Sequence, residues 1–305
     1  MTVAVANPTF ASDATLRAAL LARFPDAYFN PTSRILAGAE LVDFLAQATS
    51  AIVGLERVDA ALLDACPRLR VIAKFGVGLD SIDLPGCARR GVRVLSTPGV
   101  NALAVAELTL GFMIGLARRI ALATQQLKHG QWIRNGGVQL FGRTVGVVGL
   151  GHVGKQTARV VQAVGCPVIA HDVLDVGAYA DAHAIRCASL GELLRDADVV
   201  TLHVPLTAAT RGLIGAAELA AMRPGAFLIN TARGGIVDED ALADALTSGA
   251  LAGAAFDVFA EEPTRNARLL ALDSFIATPH VGGNSREAIH AVGLAAVANL
   301  VAAHA

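Results

Sequence analysis

Aromatic residues are scarce in this chain: Phe, Trp and Tyr make up 5% of its 305 residues, against 54% hydrophobic residues and 30 glycines. That balance suits an α/β protein whose Val-, Ala- and Leu-rich parallel strands are buried on both faces. Charge of one sign is missing too. The formal net charge is −1 and no long basic or acidic block occurs, so there is no electrostatic footprint for a nucleic-acid partner. Cysteine is sparse: Cys66, Cys87, Cys166 and Cys187 lie far apart and form no CxxC pair. Reduced thiols in a cytoplasmic protein are therefore expected, rather than a disulfide framework or a zinc site, and no metal-ligand constellation is seen. The start, MTVAVANPTF, lacks the charged and apolar regions of a signal peptide. The most apolar run, LTLGFMIGLA (108–117), is bounded by Glu107 and Arg118 and is too short to cross a bilayer. No membrane association is expected.

The length exceeds a typical single domain, so one large or two medium domains are expected. Strand and helix patterns alternate along the whole chain. TVAVA, SAIVGL, LRVIAKF and GVRVLS read as strands, with helical segments such as DATLRAALLARF and AELVDFLAQA among them. A long helical pattern covers 101–130. A second strand series follows at 143–150, 166–172, 197–205, 225–232, 251–259 and 275–280. Strands separated by helix-length segments imply a parallel sheet with right-handed crossovers.

GLGHVG (149–154) follows a valine-rich strand and opens a helix-compatible segment. In such a G-x-G-x-x-G, Gly149 permits a tight turn, Gly151 lets the backbone approach a pyrophosphate, and Gly154 lets helix and strand pack closely. The helix N-terminus then presents free N–H groups to the phosphates. Asp172 ends the next strand at the spacing expected of the acid that reads the adenosine ribose. No arginine follows it, as Val173 and Leu174 come next, so NAD is favoured over NADP.

Polar residues cluster at three later strand ends, NTARGG (230–235), FDVFAEEP (256–263) and TPHVGG (278–283). The carboxyl ends of strands form the ligand crevice of an open parallel sheet. Arg233 is a natural fork for a 2-oxo carboxylate. His280 can hand over a proton while hydride moves, and a glutamate beside it would orient the ring and stabilise the imidazolium.

With KFGVGLDSIDL, TPGVNALAVAEL, TVGVVGLGHVG, LHVPLTAATRGLI, LINTARGGIVDEDAL, FDVFAEEP and TPHVGG in this order, the chain resembles the D-isomer-specific 2-hydroxyacid dehydrogenases, the family that includes D-3-phosphoglycerate dehydrogenase. The likeness runs from about residue 70 to the last residue. It implies a catalytic set of Arg233, Glu262 and His280. Arg233 would bind and polarise the substrate, His280 would exchange the proton, and Glu262 would support His280. For the cofactor it implies Asp257 at the nicotinamide amide and His152 and Val153 in the dinucleotide loop. Thr231, Ala232, Gly282 and Gly283 would flank the cofactor, with Pro205 on the adenine side. Val77 and Gly78 would give backbone donors to the substrate carboxylate, and Asn101 would lie near the substrate. The implied fold is two Rossmann-like α/β domains with parallel sheets. A discontinuous substrate domain, 1–98 plus 284–305, would hinge on an NAD-binding domain, 99–283, and close over the hydride path. A homodimer is expected, with the apolar 101–120 helix as a candidate contact.

The substrate is a small 2-oxo or 2-hydroxy acid on this reading. D-3-Phosphoglycerate is one candidate, and glyoxylate or hydroxypyruvate are alternatives. A phosphorylated substrate calls for positive charge in the substrate domain, for which Arg57, Lys74 and Arg134 are candidates. Glu56 stands near where some phosphoglycerate enzymes carry arginine, which weakens that choice. A formate dehydrogenase would pair its histidine with glutamine, which Glu262 argues against. An NAD-sensing corepressor-like binding protein is the non-enzyme alternative. Among other residues, Trp132 is expected to anchor the turn after the long helix and His203 to pack near the adenine pocket.

Overall fold

A computed structural model of the chain describes residues 2–305. These residues divide into two compact units: one runs to Asn101 and resumes over Asn284–Ala305, and the other is Ala102–Gly283. The first break falls where the long apolar helix begins rather than at 98/99.

In the first unit, β1 (Val3–Val5), β2 (Tyr28–Phe29), β3 (Ser50–Val53), β4 (Val71–Lys74) and β5 (Arg93–Leu95) form one parallel sheet in the order β2-β1-β3-β4-β5. Side-chain caps start most of its helices, several of them from an aspartate that the sequence places there. Asp13 accepts from Leu16 N at 2.9 Å, and Asp59 from Leu62 N at 3.0 Å. The closing helix, Arg286–His304, returns to this unit and buries Ala296, Val297 and Leu300 with Val3, Val5, Phe10, Leu16, Ile52 and Ala73. Two ring contacts fasten it, His290 Nε2 to Asp13 Oδ2 and His304 Nε2 to Ser50 Oγ, both 2.9 Å. Among the described residues it is the one helix long and apolar enough to cross a membrane. Its inner face is nonetheless committed to this core.

The second unit holds a seven-stranded sheet. Its strands are β6 (Val145–Val148), β7 (Val168–His171), β8 (Arg186–Cys187), β9 (Val199–Leu202), β10 (Phe227–Asn230), β11 (Gly253–Phe256) and β12 (Phe275–Ala277). All pair in parallel, in the order β12-β11-β10-β9-β6-β7-β8. β6, β9, β10 and β11 are buried along their whole length, as strands covered by helices on both faces must be. One face packs Leu193, Leu202, Leu228 and Phe256. The other packs Phe112, Met113 and Leu116 of the helix Ala102–Ala117 on Val145, Val147, Ile229 and Ala255.

The pattern over 101–130 is two helices, not one. Ala102–Ala117 and Ile120–Lys128 are separated at Arg119, which takes a left-handed conformation with φ 52°. Trp132 does not anchor the following turn, because it is 80% exposed. Main-chain bonds from Gly130 N to Leu127 O and from Gln131 N to Gln126 O close that turn without it. Cys66, Cys87 and Cys166 are buried free thiols whose ionisation burial pushes up, whereas Cys187 is exposed on β8.

Candidate active site

The second sheet changes direction at its middle. From β6 the chain runs outward through β7 and β8, then returns to β9 and runs the other way. At such a switch point the loops after the strands diverge and leave a crevice. Val148 of β6 is in register with His171 of β7 and Leu202 of β9. The residues that follow these three, Gly149, Asp172 and His203, therefore emerge side by side.

The three loop glycines have different reasons. Gly149 has φ +93°, and a Cβ there would lie 2.7 Å from His203 O. A Cβ on Gly154 would lie 2.0 Å from Gly149 O, so this glycine lets the helix His152–Ala163 seat against the turn. Gly151 is different: nothing stands within 4 Å of its missing Cβ. The protein itself does not require glycine there, so the bare space suits a ligand that must approach the backbone. The helix after it has no side-chain cap. Its first-turn N–H groups, in the segment carrying His152 and Val153, are left to an external acceptor, as a pyrophosphate is.

Asp172 ties this loop to β7. Its Oδ2 accepts from Leu150 N at 2.7 Å and its Oδ1 from Leu174 N at 2.9 Å. A carboxylate offers roughly four acceptor directions, so each oxygen retains one for a ribose hydroxyl. The exposed Val173 and Leu174 bring no cation for a 2′-phosphate. His203 pairs Nε2 with Thr201 Oγ1 at 3.0 Å, while its Nδ1 is buried without a partner. Burial pushes its pKa down to about 3, so the ring is neutral. Pro205 is exposed on the following loop. Loop, uncapped helix and acid together fit a dinucleotide such as NAD.

On the other half of the sheet, Asn230 of β10, Phe256 of β11 and Ala277 of β12 are in register on adjacent strands. Arg233, Asp257 and His280 follow these ends within three residues. Buried Asn230 folds the first turn back on itself: its Nδ2 donates to Arg233 O at 2.9 Å and its Oδ1 accepts from Ala232 N at 3.1 Å. Arg233 is half-buried and donates from Nη1 to Ala232 O at 2.7 Å. Thr231 is buried, with its hydroxyl 2.9 Å from that of Thr109.

Asp257 is buried and grips the histidine loop. Its Oδ1 accepts from the Thr278 hydroxyl and from Val281 N at 2.8 Å, and its Oδ2 accepts from Gly282 N at 2.8 Å. Its carbonyl accepts from His280 N at 2.8 Å. These bonds hold His280 at φ 55°, a region costly for a residue with a Cβ. Gly282 is glycine for close approach, since a Cβ would lie 3.0 Å from Asp257 Oδ2. The ring of His280 meets Glu262: Nδ1 lies 2.8 Å from Oε2, with both side chains partly exposed. Glu262 is itself held by Phe259 N, which donates to Oε1 at 3.1 Å. With Nδ1–H given to the carboxylate, Nε2 is the nitrogen left to exchange a proton.

The structure thus pairs His280 with Glu262 and sets Arg233 on a nearby strand end. Asn230 and Thr278, which build these turns, were visible in NTARGG and TPHVGG but not as supports, because their role depends on partners from neighbouring strands. In the first unit, Val77 and Gly78 follow β4 and are half-buried. Among the described residues, the N–H groups of Gly76, Val77 and Gly78 donate to no main-chain carbonyl. Asn101 is half-buried at the unit's last position before the return segment. Of the cations considered for a phosphate, Arg57 is exposed with Asp59 3.6 Å away, and Lys74 is buried. Arg134 belongs to the second unit, so it is not a cation of the first as expected. No group of three or more His, Cys, Asp or Glu among the described residues could hold a metal ion.

Fold and loop chemistry define a dinucleotide-binding α/β protein. Residues 110–282 match the family model described as D-isomer specific 2-hydroxyacid dehydrogenase, NAD binding domain. A D-3-phosphoglycerate dehydrogenase of Methanocaldococcus jannaschii is 40% identical over 240 residues, 78% of this chain and 46% of that protein. A hydroxypyruvate reductase of Thermotoga maritima is 38% identical over 269 residues, 86% of this chain and 87% of that protein. Among solved structures, a D-lactate dehydrogenase from Aquifex aeolicus complexed with NAD and lactic acid superposes with a TM-score of 0.86 at 27% identity, covering 100% of this chain and 95% of that one. The chain belongs to the D-isomer specific 2-hydroxyacid dehydrogenase family, and 110–282 is its NAD-binding region. It spans about half the length of the D-3-phosphoglycerate dehydrogenase it matches.

Proposed function

We propose that this protein is an NAD-dependent D-2-hydroxyacid dehydrogenase acting on a small, unphosphorylated 2-oxo or 2-hydroxy acid. The observation that carries the reading is the 2.8 Å contact between His280 Nδ1 and Glu262 Oε2, on a loop gripped by buried Asp257. NAD(H), when bound, supplies or accepts the hydride. The Gly149, Gly151 and Gly154 loop with His152 and Val153 holds the pyrophosphate, and Asp172 holds the ribose. Thr231, Ala232, Asp257, Gly282 and Gly283 shape the nicotinamide end, and Pro205 the adenine side. Arg233 binds the acid and polarises its carbonyl. His280 gives a proton from Nε2 to the oxygen in reduction and takes it in oxidation. Glu262 fixes the ring's tautomer and supports the imidazolium. The N–H groups of Val77 and Gly78 bind the substrate carboxylate, with Asn101 beside it.

Two observations favour an unphosphorylated acid. Glu56 is fully buried in the first unit, and neither Lys74, which is buried, nor Arg57, which lies beside Asp59, offers an open cation for a phosphate. We further place the protein in the cytoplasm as a homodimer. The helix Ala102–Ala117, the contact expected from the sequence, gives much of its surface to the core, so the candidate face is the helix Ile120–Lys128, which buries none of its residues and exposes Ile120 and Leu127.

The test is loss of NADH absorbance with hydroxypyruvate, glyoxylate, pyruvate and 3-phosphohydroxypyruvate, run with wild type and His280→Ala. Turnover of an unphosphorylated acid is expected, falling by about 10²–10⁴-fold in the variant with NADH binding retained. Preference for the phosphorylated acid would overturn the substrate assignment. Absence of turnover with all four would favour an NAD-sensing binding protein.

A further inference from the structure

The first unit carries two buried ionisable side chains, Lys74 and Glu56, that the functions above do not use. β3 and β4 are adjacent, with Val53 in register with Lys74. Just past their carboxyl ends lie Gly54 and the segment 75–81. Lys74 is 6% exposed, and Glu56 is wholly buried. The Lys74 ammonium donates to Gly54 O and, at 3.0 Å, to the Ser81 hydroxyl. Glu56 Oε2 accepts from Gly54 N, so the two charged groups hold the peptide units on either side of Gly54. Burial raises the Glu56 pKa above the usual carboxylate value, outweighing its own N–H, that of Gly54 and the nearby ammonium, which pull it down. Its Oε1 is buried without a hydrogen-bond partner.

Placing an ammonium and a carboxylate out of water is costly unless their geometry does something a nonpolar pair cannot. Here the ammonium spans two segments that main-chain bonds join only at their ends. Phe75 N donates to Val53 O, and Val58 N donates to Ser81 O. Between these points, Gly76 takes φ +140°, with the Lys74 Cε 3.4 Å from where its Cβ would be. This is the stretch whose Gly76, Val77 and Gly78 N–H groups donate to no main-chain carbonyl among the described residues. Successive free N–H groups of this kind form a concave site for an anion when something fixes the backbone around them.

We propose that Lys74 is a positioning residue: it braces the 75–81 loop from Gly54 to Ser81 so that the Gly76–Gly78 amides receive the substrate carboxylate, and Glu56, accepting from Gly54 N, fixes the end of the brace at Gly54. The proposal rests on the 2-hydroxyacid reading for the identity of the anion. It assigns Lys74 to the loop's shape rather than to contact with substrate.

The test titrates NAD⁺-loaded protein with hydroxypyruvate by calorimetry. No hydride is then available, and binding is read without turnover. KM and kcat for hydroxypyruvate reduction and the affinity for NADH are measured beside it. Lys74→Met is expected to weaken hydroxypyruvate by about tenfold or more in both Kd and KM, the scale of a lost charged hydrogen bond. kcat at saturation and NADH affinity should change little. Ser81→Ala leaves Lys74 and Glu56 intact and cuts only the loop end of the brace. It should weaken hydroxypyruvate by about threefold, on the scale of one neutral hydrogen bond, and it keeps the test alive should Lys74→Met fail to fold. Ser81→Thr retains the hydroxyl and should match wild type. If wild type binds and reduces hydroxypyruvate and Ser81→Ala binds it as tightly, the brace is refuted while the functional reading stands. If wild type takes another of the four acids instead, the same titrations use that acid, and if it neither binds nor reduces any of the four, both readings fall.

Discussion

The two units begin their sheets in the same way and finish the first turn in opposite ways. In each, the first strand sits at the point where the sheet changes direction, β1 between β2 and β3, β6 between β7 and β9. After β1 comes Ala6-Asn7-Pro8. Asn7 Oδ1 accepts from Phe10 N at 3.0 Å, and Pro8, at the start of the helix Pro8–Ser12, has no N–H to offer. After β6 comes Gly149-Leu150-Gly151, and the helix His152–Ala163 starts with no side-chain cap. One N-terminus is closed by its own side chain, and the other is left to a ligand. On the proposed function, the same backbone plan serves a phosphate only where the sequence withholds a cap, so function resides in the turn and not in the fold.

That contrast can be broken from either side. Gly151→Ala should give the largest effect. The added Cβ meets nothing in the protein within 4 Å, so Tm should hold while NADH affinity, followed by fluorescence titration, falls by about tenfold or more, the equivalent of roughly 1.4 kcal/mol. A drop in Tm with unchanged affinity would mean that the bare space serves the fold. Asp172→Ala should cost NADH about tenfold through a lost charged hydrogen bond and narrow the preference over NADPH, read from KM for both. An unaltered ratio would assign ribose reading to another residue.

On the closed side, Asn7→Ala should lower unfolding free energy by about 1 kcal/mol in a denaturant titration, with NADH affinity unchanged. A dependence on pH comes from His203. Unfolded, it takes a proton near its ordinary 6.5; folded, only near about 3. Between those values the unfolded chain binds more protons. Stability should therefore fall as pH drops from about 6.5 toward about 3, and be fully present above that window. His203→Gln should make the dependence shallower in denaturation curves from pH 7 to 4, and an identical slope would remove His203 as its source.

Most of the fold was legible because its longer strands are nearly continuous runs of Val, Ile, Leu and Ala, such as Val145–Val148 and Val199–Leu202. The two-residue edge strands Tyr28–Phe29 and Arg186–Cys187 were not, since two residues carry no period. The break at Arg119 was not legible because a helix-compatible pattern resumes directly after the Arg118-Arg119 pair, two residues that helices accept, and it is a positive φ that divides the helices. At the site, GLGHVG and the acid at Asp172 could be read from spacing, because a strand, a tight turn and a helix are all local. So could His280, set between Pro279 and two glycines.

Sequence alone therefore determined the alternation of strands and helices, the glycine loop and the residue types available for catalysis, because each depends on neighbours in the chain. Tertiary structure decided which strand ends lie side by side, and so that Asp257 braces His280, that Glu262 meets its ring, and that Lys74 turns inward to Gly54 and Ser81 instead of standing open to an anion. Those outcomes depend on register between strands far apart in sequence and on the burial of charge, neither of which a local pattern encodes.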